Sequence, residues 1–253
     1  LYPQTHIFFA EKVLGRQNDA VALGSIFPDM IIGRYFNHLQ AHSRCAEIYH
    51  FLKSAGTLPD FRKSVVTHGF DPKGLDYYGD EKYLDYERGY CFEKGRPFIL
   101  ATVMACNIPY EMGWWKSHNI IEMGIELLVS GSGRFSEQIK NALTNRQLIQ
   151  EVDEMTSGLW RDADLKFSEK VRRFIDFVDV ERATAESLAE KYRIQMHFKH
   201  GVEIETRSVA RLIDRAAEQV SDDVKEFFRI VAETVRGNLA ALAQERSICK
   251  DSE

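Results

Sequence analysis

The sequence predicts an all-α protein. Apolar residues recur at three- and four-residue spacing through most of the chain, and alternation of apolar with polar residues is confined to short pieces. Beyond Gly133 the chain turns into amphipathic segments rich in Glu, Lys and Arg, the pattern of helices that bury one face. Its 253 residues are enough for a sizeable core. No run of about 18 apolar residues appears, so a transmembrane segment is not expected.

The first helix is expected from Thr5 to Leu14, with His6, Phe9, Ala10 and Val13 on its inward face and Gly15 as its stop. In Gly24-Ser25-Ile26-Phe27-Pro28-Asp29, Pro28 favours a turn or a helix start, and Asp29 beside it reads by default as a turn or capping residue. A helix from Gln40 to Lys53 follows, carrying Cys45, Ala46, Tyr49 and Leu52 inward. Residues 69–97 are dense in Gly, Asp and Tyr and predict a loop with at most a short helix, either a plain surface loop or a lid. Helix resumes from Pro97 to Val129, kinked at Pro109, with Ser117 as the N-cap of a new segment. Further helices are expected over Phe167–Val180, Thr184–Ile194 and Ser221–Leu242. In the last of these, Val224, Phe227, Phe228, Val231, Val235, Leu239 and Leu242 form one core-facing stripe.

Charge narrows the partners. With 33 Lys and Arg against 38 Asp and Glu the chain carries a formal −5, and its pI lies near 6.0. There is no overall basic field, so nucleic acid is not an expected partner. The four cysteines, Cys45, Cys91, Cys106 and Cys249, are far apart and read as reduced thiols. No basic segment followed by an apolar stretch opens the sequence, and a cytoplasmic location is the expectation.

The chemistry concentrates in the first half. His118 and Glu122 are four residues apart, which puts an imidazole and a carboxylate on one helix face where they can grip one metal ion. On an uninterrupted helix, Asn107, Glu111, His118 and Glu122 share a narrow sector. Such charges facing a core, with inward-pointing His6 nearby, are costly unless a cation neutralises them. His38 and His42, also four apart, compete as further ligands. His50 and His68 read as structural or solvent-facing. Trp114 and Trp115 read as packing residues, or as walls for a choline-like head group held by cation–π contact.

Thr5-His6-Ile7-Phe8-Phe9-Ala10, Leu23-Gly24-Ser25-Ile26-Phe27-Pro28-Asp29, Ala41-His42-Ser43 and His118 with Glu122 together resemble the bacterial zinc-dependent phospholipase C family. The resemblance spans residues 5–129. It implies a multi-helix bundle of the phospholipase C type, the fold shared with single-strand-specific nucleases. It also implies a zinc cluster that cleaves phosphodiester bonds with metal-bound water as nucleophile. Matched residue by residue, the metal ligands are His6, Asp29, His42, Glu111, His118 and Glu122, with Glu111 also in a catalytic role. The family's central His-x-x-x-Asp reads Asn107-Ile108-Pro109-Tyr110-Glu111 here, and a neutral amide suits zinc poorly. One or two zinc ions are therefore expected rather than three.

On this reading residues 1–131 form a metal-binding helical core, with the helices of 132–253 packing on it in the same compact domain. The expected function is hydrolysis of a small-molecule or lipid head-group phosphodiester. The alternative from another class is a non-catalytic helical binding protein with a degenerate site.

Overall fold

The computed structural model describes residues 1–175 and 183–245. Among them are fourteen α-helices and no strand, so the all-α expectation holds. In chain order the first five are α1 (Pro3–Leu14), α2 (Asp19–Ile31), α3 (His38–His42), α4 (Cys45–Ala55) and α5 (Pro59–Val66). A single π-helical turn over Tyr77–Glu81 precedes α6 (Tyr90–Gly95), α7 (Ile99–Cys106) and α8 (Gly113–Val129). Then come α9 (Arg134–Thr144), α10 (Arg146–Leu159), α11 (Phe167–Ile175), α12 (Ala185–His200), α13 (Thr206–Val220) and α14 (Val224–Gln244). Residues 176–180 of the expected Phe167–Val180 helix, and Cys249, lie outside the described residues. No described helix is long and apolar enough to cross a membrane.

The contacts gather the described residues into two units. One takes Leu1–Phe8, Asp76–Glu137 and Phe177–Arg229, the other Phe9–Leu75, Gln138–Asp176 and Ile230–Glu253. Each draws on both sides of residue 131. In the first unit α8 is the central helix, packed by α6, α7, α12 and α13. Gly124 permits the α13 contact, since a Cβ there would lie 2.7 Å from Ala217 N and 2.9 Å from Ala216 Cβ. Tyr90 stacks on Phe227 at 4.3 Å, and its hydroxyl donates to Asp223 Oδ1 at 2.6 Å.

In the second unit α2 packs on α5, and α5 on α4. Gly24 allows the first of these approaches, because a Cβ would meet Phe61 O at 2.6 Å. Phe27 is fully buried between Phe61 and Phe167, with ring centroids at 5.3 and 5.2 Å. Truncating such a ring costs about 3–5 kcal/mol.

Several elements differ from the sequence reading, each for a local reason. Pro28 starts nothing, because α2 begins earlier, at the Asn18 cap whose side chain accepts from Val21 N at 2.9 Å. The Gln40–Lys53 helix is two helices broken at Ser43–Arg44, the first begun by a reciprocal Asn37/Gln40 capping box. Around Pro109 the chain does not kink but stops. Asn107 closes α7 in the left-handed region at φ 49°, and a 3₁₀ turn over Tyr110–Met112 leads into α8. Ser117 caps nothing and bonds back to Trp114 O at 3.0 Å within α8. The α14 stripe faces the core as expected, with Leu239 half-buried against Tyr49, Val66 and Leu242.

Candidate metal centres

In the second unit the end of α2 supplies Asp29, α3 supplies His38 and His42, and the turn after α5 supplies His68. His42 and His68 are fully buried. The Nδ1 of His42 lies 2.8 Å from His38 O, and that of His68 lies 2.6 Å from Ser25 O. A carbonyl oxygen only accepts, so both Nδ1 atoms carry a proton, and the lone pair of each ring in its neutral form sits on Nε2. Those Nε2 atoms are 3.0 Å apart, with Asp29 Oδ1 at 3.4 Å from His42 and 3.9 Å from His68. His38 stacks on His42 at 4.0 Å, and the ligand atoms of Asp29, His38 and His42 lie within 4.8 Å of one another. Both members of the His38/His42 pair thus reach the carboxylate.

In the first unit α1 carries His6, the loop before the π-helical turn carries Asp76, the turn itself carries Asp80, and α8 carries His118 and Glu122. His6, Asp76, His118 and Glu122 are buried. His6 Nε2 is 3.3 Å from Asp76 Oδ1, and the Leu1 nitrogen donates to the same oxygen at 2.9 Å. The ligand atoms of Asp80, His118 and Glu122 lie within 4.8 Å of one another. Asn119 orients two of these residues, its amide lying 3.0 Å from His118 Nε2 and 3.2 Å from Glu122 Oε2. Phe92 stacks on the His118 ring at 4.2 Å.

The positive charge beside this set is the Leu1 ammonium, 2.9 Å from Asp76 Oδ1 and 3.3 Å from Glu122 Oε1. Asp80 Oδ1 and His118 Nδ1 are buried without a hydrogen-bond partner in the protein. Burial, and after it the charge of Glu122, pushes the Asp80 carboxyl well above the usual carboxylate range. Burial also pushes the His118 imidazole down to about 4. Burial and then Glu122 push the nearby Cys91 thiol up. Burial drives Asp80, His118 and Cys91 toward their neutral forms, while against burial the Leu1 ammonium and then His118 hold the Glu122 carboxyl below its ordinary value. A divalent cation would reverse that preference at the Asp80 carboxyl and reinforce it at the His118 ring, because it favours carboxylate and neutral imidazole together. The residues present therefore fit a metal ion.

Five of the expected ligands, His6, His118 and Glu122 in the first unit and Asp29 with His42 in the second, stand beside other ligand-type groups. Glu111 does not. It lies exposed on the Tyr110–Met112 turn and belongs to none of the ligand groups among the described residues, because the helix that was to align it with His118 ends at Cys106. Three residues were passed over. In sequence His68 reads as structural or solvent-facing, and Asp76 and Asp80 stand in a segment that reads as a tyrosine-rich loop. Asp76 and Asp80 are four apart, but the Gly- and Tyr-rich segment around them carries no helical periodicity to put them on one face, and His68 has no ligand-type residue at that spacing. The two tryptophans have cations of the chain itself over their rings, Arg96 at 4.2 Å over Trp114 and Lys116 at 3.9 Å over Trp115. Compared with known proteins, the chain matches no family model, no curated protein and no solved structure.

Proposed function

We propose that this protein is a zinc-dependent hydrolase of phosphoric ester bonds, built on a helical bundle of the phospholipase C type. The observation that carries the reading is the pair of histidines His42 and His68, whose Nδ1 atoms are fixed by backbone carbonyls so that both Nε2 lone pairs converge beside Asp29. Hydrogen-bonding the far nitrogen is how proteins set a metal-binding imidazole. Imidazole with carboxylate suits zinc, and each unit has ligands for an ion, in keeping with one or two ions rather than three.

A zinc ion supplies Lewis acidity toward a phosphoryl oxygen and acidifies water. The chain's own residues set the stage for this. His42 and His68 are sealed from solvent, whereas the Asp29 side chain is about a quarter exposed, so Asp29 is the carboxylate that water and substrate reach. It is placed to take the proton of an attacking water. Glu122 is held at Oε2 by the Asn119 amide and at Oε1 by the Leu1 ammonium, and it stands within ligand distance of Asp80 and His118. The resemblance over residues 5–129 supplies the substrate class, a small-molecule or lipid head-group phosphodiester.

Metal analysis of untagged protein tests the reading, together with hydrolysis of a chromogenic phosphodiester before and after chelation. Stoichiometric zinc, lost in His118→Ala and His68→Ala, and chelator-sensitive hydrolysis are expected. A parent protein without stoichiometric metal overturns the reading. Stoichiometric zinc without hydrolysis of any phosphodiester tried leaves the binding-protein alternative in its place.

A further inference from the structure

A helix leaves its first N–H groups without acceptors in its own body. In α1 this shortage falls on two residues. Pro3 has no N–H, and the His6 N–H reaches Tyr2 O at 3.2 Å, which leaves those of Gln4 and Thr5. Both residues are buried, at 1 % and 0 % exposure, so bulk water does not serve them. The first turn of α1 contains no acidic residue that might do so.

Glu126 of α8 takes both. Gln4 N donates to its Oε1 at 3.0 Å, Thr5 N to its Oε2 at 2.8 Å, and the Thr5 hydroxyl to Oε2 at 2.7 Å. A carboxylate at a helix N-terminus is favoured by the orphan N–H groups and by the helix dipole. Here it comes from 121 residues away in sequence rather than from the preceding residue. His118, Glu122 and Glu126 follow one another at intervals of four along α8, so the face that offers ligands also carries this cap. His6 comes directly after Thr5, and its ring is the one that meets Asp76.

We propose that Glu126 is a positioning residue: it docks the first turn of α1 onto α8 and so sets His6 against Asp76 for metal binding. The proposal rests on the zinc reading above. Glu126 contacts neither metal nor substrate, and it acts through His6.

Zinc affinity, measured by competition with a chromogenic chelator, tests this with Glu126→Gln made in the parent and in a His6→Ala background. Amide exchange at Gln4 and Thr5 in metal-free protein is read alongside. Glutamine keeps the shape but replaces one acceptor oxygen with a donor. Faster exchange at one or both amides and about tenfold weaker zinc binding in the parent are expected, the range seen when outer-shell partners are lost. In the His6→Ala background the same substitution is expected to change affinity by less than about twofold. Equal weakening in both backgrounds indicates general loosening and overturns the proposal, as does unchanged affinity or unchanged exchange. If Glu126→Gln fails to fold, Thr5→Val removes the hydroxyl bond alone, with a smaller loss of affinity that must again depend on His6. A parent that binds no zinc overturns the metal reading itself, before any variant is compared.

Discussion

His42 and His68 meet Nε2 to Nε2 at 3.0 Å, each with its Nδ1 turned to a backbone carbonyl. Two lone pairs held at that distance repel unless a proton or a cation stands between them. Replacing His68 with Phe keeps a ring of similar bulk in the fully buried space and removes one lone pair. Zinc affinity is expected to fall by more than about a hundredfold, beyond what loss of an outer-shell partner costs. Titration against a chelator of known affinity reads this directly, and an unchanged constant would exclude His68 as a ligand.

Gly124 controls how closely α8 and α13 approach. A methyl group there would stand 2.7 Å from Ala217 N, a backbone atom that no side-chain rotation can move aside. Gly124→Ala gains helix propensity, about 1 kcal/mol in an exposed helix. Overpacking outweighs it, and a net loss of about 1–3 kcal/mol is expected in urea unfolding. A gain in stability would mean that the two helices separate easily.

What the sequence made legible follows from how each element is buried. The helix α14 buries one face, so its stripe of apolar residues appears at helical spacing. In α2 every residue from Val21 to Pro28 is buried, so no polar face marks the period and Pro28 stood out as a false start. The ligands divide in the same way. His118 with Glu122, and His38 with His42, sit four apart on single helices and could be seen as pairs. His68, Asp76 and Asp80 lie on turns, where their proximity to other ligands is set by tertiary packing alone. Glu111 was drawn in by arithmetic that presumed helix through Asn107, the residue that adopts φ 49° and ends it.

Glu111→Ala therefore serves as a control on that correction. The side chain is exposed, and surface substitutions away from special features change stability by no more than about 0.5 kcal/mol. Zinc content equal to the parent's and hydrolysis within about twofold are expected. A loss of bound metal in this variant would restore Glu111 to the ligand set.

Asp80 gives a test in which the sign, more than the size, carries the information. Its carboxyl is buried beside Glu122, and burial followed by that neighbour's charge disfavours its ionised form. With metal absent, Asp80→Asn replaces a carboxyl whose ionised form this buried site disfavours with a neutral amide, and it is expected to stabilise the protein by about 1 kcal/mol. In a chain of this size that is about 2–4 °C in melting temperature. With zinc saturating, the same substitution removes an anionic ligand. Each tenfold loss of affinity then subtracts about 1.4 kcal/mol from the stabilisation that binding provides. Asp80→Asn is accordingly expected to melt above the parent in chelator and below it in excess zinc. A purely structural carboxylate would shift both curves the same way, so parallel shifts would remove Asp80 from the metal centre.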